Sequence, residues 1–519
     1  MKKFLVLFLT LSIFVTVLVS CHPSDQNRDV TSTSAEVTSI EELTSTEETT
    51  EAPVSVSKVS LWNIIKNFDS KAKSFANTAG CREMVLNGVS KKDLLDALKA
   101  EDFAELEYVQ YVEGAKFETI ILERANSIVT MYCDEANDEI RVMLETNKNI
   151  IPLNPTEETG KGVLTVAQVG VERTRENDNP LIGMCYVIKL SNGNAIVIDG
   201  GFNTKICAEN LYNTLEKLDI AKSQDKYVIE AWIITHAHGD HNGAYKAFSS
   251  IYSSKATVKN IMQSFPSSEN LVVGGGKNFS REKFSEASLI IPHAGLKYHF
   301  GNATISMLYT PEMLYTATSQ LDYFNDTSLV FKIEIGNSSV LFMGDAGDVV
   351  SAELIASYNT SALKSNIFQL SHHGLYTSAG STHNWTNQKM VYDAIDADYV
   401  FLPMHEYLEG NTRNGRHTVL IAWAASGYQI SYVMNTSDNH GLWGIDQNYY
   451  TNFVNSVANG TAIKPTLYGY DGINKIVNQN GLITYLGANE TDPMITIFEL
   501  NGDNVTLKTN EEFHKWLNK

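Results

Sequence analysis

A run from Val228 to Ile234, apolar but for Glu230, stops at Thr235 and is followed at once by His236-Ala237-His238-Gly239-Asp240-His241. A short apolar run bounded by a glycine turn reads as a buried strand. Alternation along it points His236 and His238 to one side, a pair of imidazoles able to grip one cation. Gly239 permits the sharp turn that follows. Asp240 and His241 then fall at a helix start, where they can face a second cation a few ångströms away. A loop that happens to be rich in histidine is the bland alternative. Three histidines and an aspartate in one fixed frame behind an apolar strand weigh against it.

The chain around this frame has an α/β pattern. Strand-like runs recur at Val163 to Val169, Met184 to Leu190 and Ala195 to Ile198, with helical patterns at Ile206 to Leu218 and Gly243 to Ser250. Two later apolar runs also end in groups that carry chemistry. Val340-Leu341-Phe342-Met343 leads into Gly344-Asp345, and Ile367-Phe368-Gln369-Leu370-Ser371 leads into His372-His373-Gly374. No Cys-x-x-Cys pair exists, so any metal must be held by His and carboxylate.

Taken together, these pieces resemble the metallo-β-lactamase superfamily. His236 to His241 is similar to its H-x-H-x-D-H motif, and Ile196-Val197-Ile198-Asp199-Gly200-Gly201 to its early strand. Asn325-Asp326-Thr327-Ser328-Leu329-Val330, Gly344-Asp345 and His372-His373-Gly374 resemble the branch that holds the ComEC exported domain and the phosphorylcholine esterases. The likeness spans roughly residues 160 to 440. It implies an αββα sandwich with two divalent metal ions, held by His236, His238, Asp240, His241, Asp345 and His372. Asp345 would bridge the ions, Asp240 would also help orient the bridging hydroxide, and Asp199 would orient a ligand without binding metal. His373 would approach substrate or leaving group, and His417, in Asn414-Gly415-Arg416-His417, could reach the pocket; a helix-capping role fits His417 equally.

One departure stands out. Many superfamily enzymes place a third histidine for the first metal just after a Thr-Pro, and Tyr309-Thr310-Pro311-Glu312-Met313-Leu314 has none. His293 and His299 lie upstream and are expected to face solvent.

The flanks set the expected surroundings. Lys2 and Lys3 precede an apolar run from Phe4 to Val19, and Leu18-Val19-Ser20-Cys21 resembles a bacterial lipobox, so residues 1–21 are expected to be a lipoprotein signal with Cys21 lipidated. Residues 22–56 set eight acids against Arg28 and hold almost no large apolar side chains, which predicts a disordered Ser/Thr/Glu tether. Residues 57–152 read as a small α+β domain, 160–445 as the hydrolase domain, and 446–519 as a strand-rich extension that partly closes the sandwich. Cys81, Cys133, Cys185 and Cys207 would then sit where disulfides persist, with no pairing legible.

The formal net charge of −20 opposes bulk binding to nucleic acid. The expected activity is hydrolysis by a metal-activated hydroxide, of phosphodiester or phosphoester bonds in a small-molecule or envelope-polymer substrate. Zinc suits the donor set, and manganese or iron is also admitted. A lactonase or β-lactamase on the same metals is the alternative enzyme, and a surface binding module with a decayed site is the alternative of another class.

Overall fold

The computed structural model describes residues 64–65, 67–68, 73–76, 82–135, 138–145, 152–171, 183–265, 280–314, 324–374, 385–403 and 494–508, with strand pieces at 432–435, 476–478, 481–483 and 485–486. Cys21, the tether at 22–56, Cys81 and His417 lie outside the described residues.

The first sheet is formed by β1 (Lys73–Ala76), β2 (Arg82–Asn87), β3 (Ala104–Glu105), β4 (Glu118–Arg124), β5 (Ser127–Asp134) and β6 (Glu139–Glu145), in the order β1-β2-β6-β5-β4-β3. Helix α1 (Lys91–Ala100) is capped by Ser90, whose Oγ accepts from the Asp93 N–H. It covers one face through Leu94 and Leu98, which pack with Met84, Leu122 and Val142.

Two larger sheets make a sandwich. The second sheet begins with β7 (Leu164–Val169), β8 (Cys185–Lys189) and β9 (Ala195–Asp199). Helix α2 (Lys205–Lys217), the short β10 (Lys222–Ser223), β11 (Lys226–Ile233), helix α3 (Gly239–Tyr252), β12 (Ala256–Met262) and β13 (Ser288–Ile290) follow. Strand β9 pairs parallel with β11, and β11 with β12, as βαβ crossovers require. The third sheet runs through β14 (Lys297–Phe300), β15 (Ala303–Tyr309), β16 (Val330–Ile335) and β17 (Ser338–Phe342). After helices α4 (Asp348–Ser357) and α5 (Thr360–Leu363) it continues into β18 (Ile367–Gln369) and, past helix α6 (Trp385–Ile395), into β19 (Tyr399–Leu402) and β20 (Tyr432–Asn435). A small hairpin, β21 (Ile476–Asn478) with β22 (Gly481–Ile483), stands apart, and β23 (Tyr485–Leu486) pairs with β20. Finally β24 (Met494–Leu500) and β25 (Val505–Lys508) return to the second sheet, where β24 pairs antiparallel with β7.

The layers follow from which side chains each face carries. Val166, Ile198 and Ile233 of the second sheet meet Ile305, Phe331 and Phe342 of the third in one core. On the outer face of the second sheet, Trp232 and Val197 pack under α2 and α3 through Leu211 and Phe248. Phe368 and Leu341 do the same on the third sheet under α4 and α6. Strand β9 is wholly buried and is an apolar run up to Asp199, whereas β11 breaks its run at the half-buried Lys226 and Glu230 and β17 opens on two buried serines. The result is an αββα sandwich of class α/β.

Cys133, Cys185 and Cys207 are buried.

Candidate metal centre

The centre forms where strands run out. Strand β11 ends at Ile233, and the chain continues extended through Thr235 to a fully buried His236. Nε2 of His236 lies 3.0 Å from Nδ1 of His238, the residue just before α3. Asp240 and His241 follow in the first turn of that helix, where the helix dipole favours a carboxylate.

Asp199, the last residue of β9, is buried with φ of 52°. It accepts from the Thr235 N–H and the Thr235 hydroxyl, each at 2.8 Å, and from His241 Nδ1 at 2.7 Å. Because the carboxylate can only accept, the His241 proton sits on Nδ1 and its Nε2 presents a lone pair to the centre.

Asp345 arrives from β17 through Met343 and Gly344. Gly344 has φ of 54°, and a Cβ on it would stand 3.0 Å from side-chain carbons of both Thr235 and Ser328, so this corner needs glycine. Ser328 Oγ accepts from the Asp345 N–H at 3.0 Å, and Gln369 bridges the ends of β17 and β18 by accepting from the Met343 N–H and donating to the Gly344 carbonyl. So held, the carboxylate divides its oxygens. Oδ1 lies 3.1 Å from His241 Nε2 and 3.4 Å from His373 Nε2, whereas Oδ2 lies 3.5 Å from His236 Nε2.

Two groups of donor atoms result, Asp240 with His241, Asp345 and His373, and His236 with His238 and Asp345. Within each, the atoms lie within 4.8 Å of one another. The expectation from sequence put His372 among the ligands of the second metal. In the fold it is His373 that joins Asp240 and His241, with Nε2 3.2 Å from Asp240 Oδ2 and 3.1 Å from His241 Nε2. Its Nδ1 meets the Pro403 carbonyl at 2.6 Å, which fixes the ring and leaves Nε2 as acceptor. His372 stands beside the centre, Nε2 3.8 Å from Asp345 Oδ2 and 3.3 Å from Asn325 Nδ2. The physical reason is backbone: His372 and His373 have φ of 48° and 54°, so the strand alternation that would turn the first inward does not apply.

Two ion positions fit this chemistry. Nε2 of His241 and of His373 are both acceptors, they face each other, and a carboxylate oxygen faces both. Asp345 Oδ1 is buried without a hydrogen-bond partner among the described residues. Acceptors converging on acceptors call for a cation. Without an ion, protons are drawn in. Burial opposes charge on His241, but Asp345 and Asp199 hold its pKa well above the ordinary value, and His373 is pushed up to about 9 against burial by Asp345 and Asp240. Asp345, despite its burial, is held well below the usual carboxylate range by His241 and His373. His236 and His372 go the other way, both lowered foremost by burial, His372 to about 4. Nitrogen and oxygen donors alone suit zinc, manganese or iron.

Thr235, Ser328 and Gln369 stand inside the sequence motifs but with no role legible there, and Pro403 lies outside them, yet all four position the ligands. A buried Gln at a strand end, unusual for its type, is the one visible mark. His293 and His299, expected in solvent, are buried instead. His293 is covered by the first sheet, and Glu312, in the turn that lacks a third histidine, faces His293 rather than the centre.

Residues 178–256 match the family model described as the metallo-beta-lactamase superfamily. The chain carries a metallo-β-lactamase superfamily domain. The matched segment runs from β8 through α3 and includes Asp199 and His236 to His241. Among solved structures the chain is similar to CmlA, a diiron beta-hydroxylase from Streptomyces venezuelae, at 15% identity over 44% of this chain and 45% of that one, TM-score 0.27. It is similar to Zn(2+)-bound PqqB from Methylobacterium extorquens at 9% identity over 52% and 89%, TM-score 0.31. It is also similar to a mutant flavo di-iron protein from Thermotoga maritima at 18% identity over 58% and 60%, TM-score 0.25. The chain thus spans less than half of CmlA's length. The curated proteins give no match.

Proposed function

We propose that this metallo-β-lactamase superfamily domain is a binuclear metal-dependent hydrolase acting on phosphodiester or phosphoester bonds. The observation that carries the reading is the division of the Asp345 carboxylate, one oxygen toward His236 and the other toward His241 and His373. A bound pair of divalent ions would supply a hydroxide at neutral pH and polarise the scissile group.

The chain's own residues do the rest. His236 and His238 would hold one ion, Asp240, His241 and His373 the other, and Asp345 would offer an oxygen to each. Asp199 keeps the His241 lone pair aimed inward, and the Pro403 carbonyl does the same for His373. His372 is more exposed than its neighbour, and its Nδ1 has no partner among the described residues. As a neutral imidazole beside Asn325, it is placed to orient a substrate over the ion positions. His417, in the same part of the sequence, is a second candidate for that role and lies outside the described residues.

The phosphoester preference is supported by the likeness of Asn325 to Val330, Gly344-Asp345 and His372-His373-Gly374 to the esterase branch, and by Asn325 standing beside His372. The Lys2 to Cys21 segment supports export and lipid anchoring at Cys21, and hence an envelope or extracellular substrate; labelled palmitate incorporation that survives Cys21→Ala would refute the anchor.

Purified protein loaded with zinc or manganese is to be tested on bis-nitrophenyl phosphate and nitrophenyl phosphorylcholine. Turnover of these that chelation abolishes is expected. Hydrolysis of lactones or β-lactams alone would overturn the substrate class, and fewer than one bound ion per chain after metal-replete expression would favour the binding module.

A further inference from the structure

The first sheet has two unlike faces. Met84, Leu122, Met131 and Ile140 point to α1 and make an ordinary core. The other face carries Ile121, Ile128 and Tyr132, which pack into the sandwich, and set among them a buried polar strip of Glu83, Thr119, Thr130, Arg141 and Glu145, none of the five more than 7% exposed. The sandwich covers it. Thr119 donates to the Ala294 carbonyl at 2.9 Å, and His293 Nε2 meets Glu145 at 3.0 Å. Charged groups buried between apolar patches make the seating of the sheet depend on their ionisation, and interfaces within a chain hold more such groups than permanent cores do.

The charges at this junction do not balance. Arg141 Nε is taken by Glu139 at 2.6 Å. Glu83 and Glu145 from the sheet and Glu312 from the sandwich then share His293, whose Nδ1 meets Glu312 at 3.3 Å. Three further polar atoms, Thr130 Oγ1, Arg141 Nη1 and Glu312 Oε2, are buried without hydrogen-bond partners among the described residues. All three residues line one cavity of about 10 Å³ between the sheet and the sandwich. That volume admits one water. A water satisfies an N–H donor and a carboxylate acceptor together, whereas a hydrated cation is too large and a bare one would face the Arg141 guanidinium. The surplus negative charge is therefore met by protons.

We propose that the junction is a proton-linked latch: the first sheet seats on the sandwich with protons held on His293 and Glu83, and rising pH unseats it. The groups that face this pair are Tyr132, Arg141, Glu139 and Glu145 on the sheet, and Tyr298, Glu312 and, beside Arg141, Glu353 on the sandwich. Burial disfavours charge on His293, yet Glu145 and Glu312 hold its pKa up to about 10. Burial foremost, then Glu312, holds Glu83 well above its ordinary value. Both values are raised by docking, so the stabilisation from each is complete below its unfolded pKa and is lost as pH rises through the folded one. For His293 that window runs from 6.5 to about 10.

The test is amide hydrogen exchange on the full chain, corrected for intrinsic rate, between about pH 6 and about pH 9.5. Protection across β4 to β6 and across 293–297 is expected to fall together by roughly tenfold or more, as loss of at least one bound proton requires, while β9 and β11 hold. Glu83→Gln, which mimics the protonated acid, is expected to flatten the fall. His293→Gln, unable to bridge two carboxylates, is expected to lack the protection already at the lower pH. A flat wild-type profile, a Glu83→Gln profile identical to wild type, or loss in step with β9 and β11 would each overturn the latch. So would protection restored at high pH by sodium or calcium ions, which would make the cavity a cation site.

Discussion

Adjacent histidines in the left-handed region are uncommon, and backbone of this kind costs about 1–3 kcal/mol per residue. At His372 and His373 that strain is held by fixed partners, the Gly344 carbonyl accepting from the His372 N–H and the Pro403 carbonyl meeting His373. Because only His373 faces His241 and Asp240, His373→Ala is expected to lose roughly half the bound metal by plasma emission spectrometry. His372→Ala should keep its metal and lose about 10² in kcat/KM through poorer substrate positioning. Equal metal loss in the two variants would return the ligand role to His372. Asp199→Asn presents an amide where His241 needs an acceptor. A fall of about 10–100-fold in metal affinity is expected, measured by competition with a chromophoric chelator, and unchanged affinity would deny Asp199 its orienting role. The histidine pair also marks the limit of what is legible at this scale. His236 to His241 can be placed because strand alternation and a helix start are local rules, whereas choosing between His372 and His373 requires a backbone that obeys neither rule.

Helix α3 is useful to the centre only because it begins in the right place. Its seat is the turn after β9, where the Ala244 N–H donates to the Gly201 carbonyl at 2.8 Å. A Cβ on Gly243 would collide with the backbone of Asn203 and stand 2.7 Å from the carbonyl carbon of Phe202. Backbone cannot swing aside as a side chain can, so Gly243→Ala must lift the helix and carry Asp240 and His241 with it. Destabilisation of about 1–3 kcal/mol in urea unfolding is expected together with reduced metal content; a variant with wild-type stability and metal would show that the helix start tolerates displacement. Strand β9, and β11 apart from Lys226 and Glu230, are readable as apolar runs because they are buried on both faces. The turn at Thr310 to Leu314 is marked in the sequence only by the histidine it lacks. Its use, turning Glu312 toward His293, depends on a sheet from much earlier in the chain, since His293 meets Glu145 across a separation of 148, and no local pattern carries that.

At the scale of the whole molecule, the centre ties the second sheet to the third. His236, His238, Asp240 and His241 come from one sheet of the sandwich and its helix, Asp345 and His373 from the other, so an ion bound there crosslinks the two layers. Any ligand that binds only the folded state stabilises it, by about 4 kcal/mol at a thousandfold excess over Kd. The size of the effect should depend on pH. In the stripped protein His241 and His373 take up protons in place of metal, with the His373 pKa raised from 6.5 to about 9. A raised folded-state pKa gives stabilisation that is complete below the unfolded value and lost as pH rises through the folded one. The melting temperature of chelated protein should therefore fall between 6.5 and about 9. Metal displaces those protons, so affinity rises over the same range. The gap between loaded and stripped melting curves should widen with pH, and because the junction at His293 titrates alike in both forms, the difference isolates the centre. A gap that narrows as pH rises would mean that the carboxylates around Asp345 are compensated by something other than an ion or its proton substitutes.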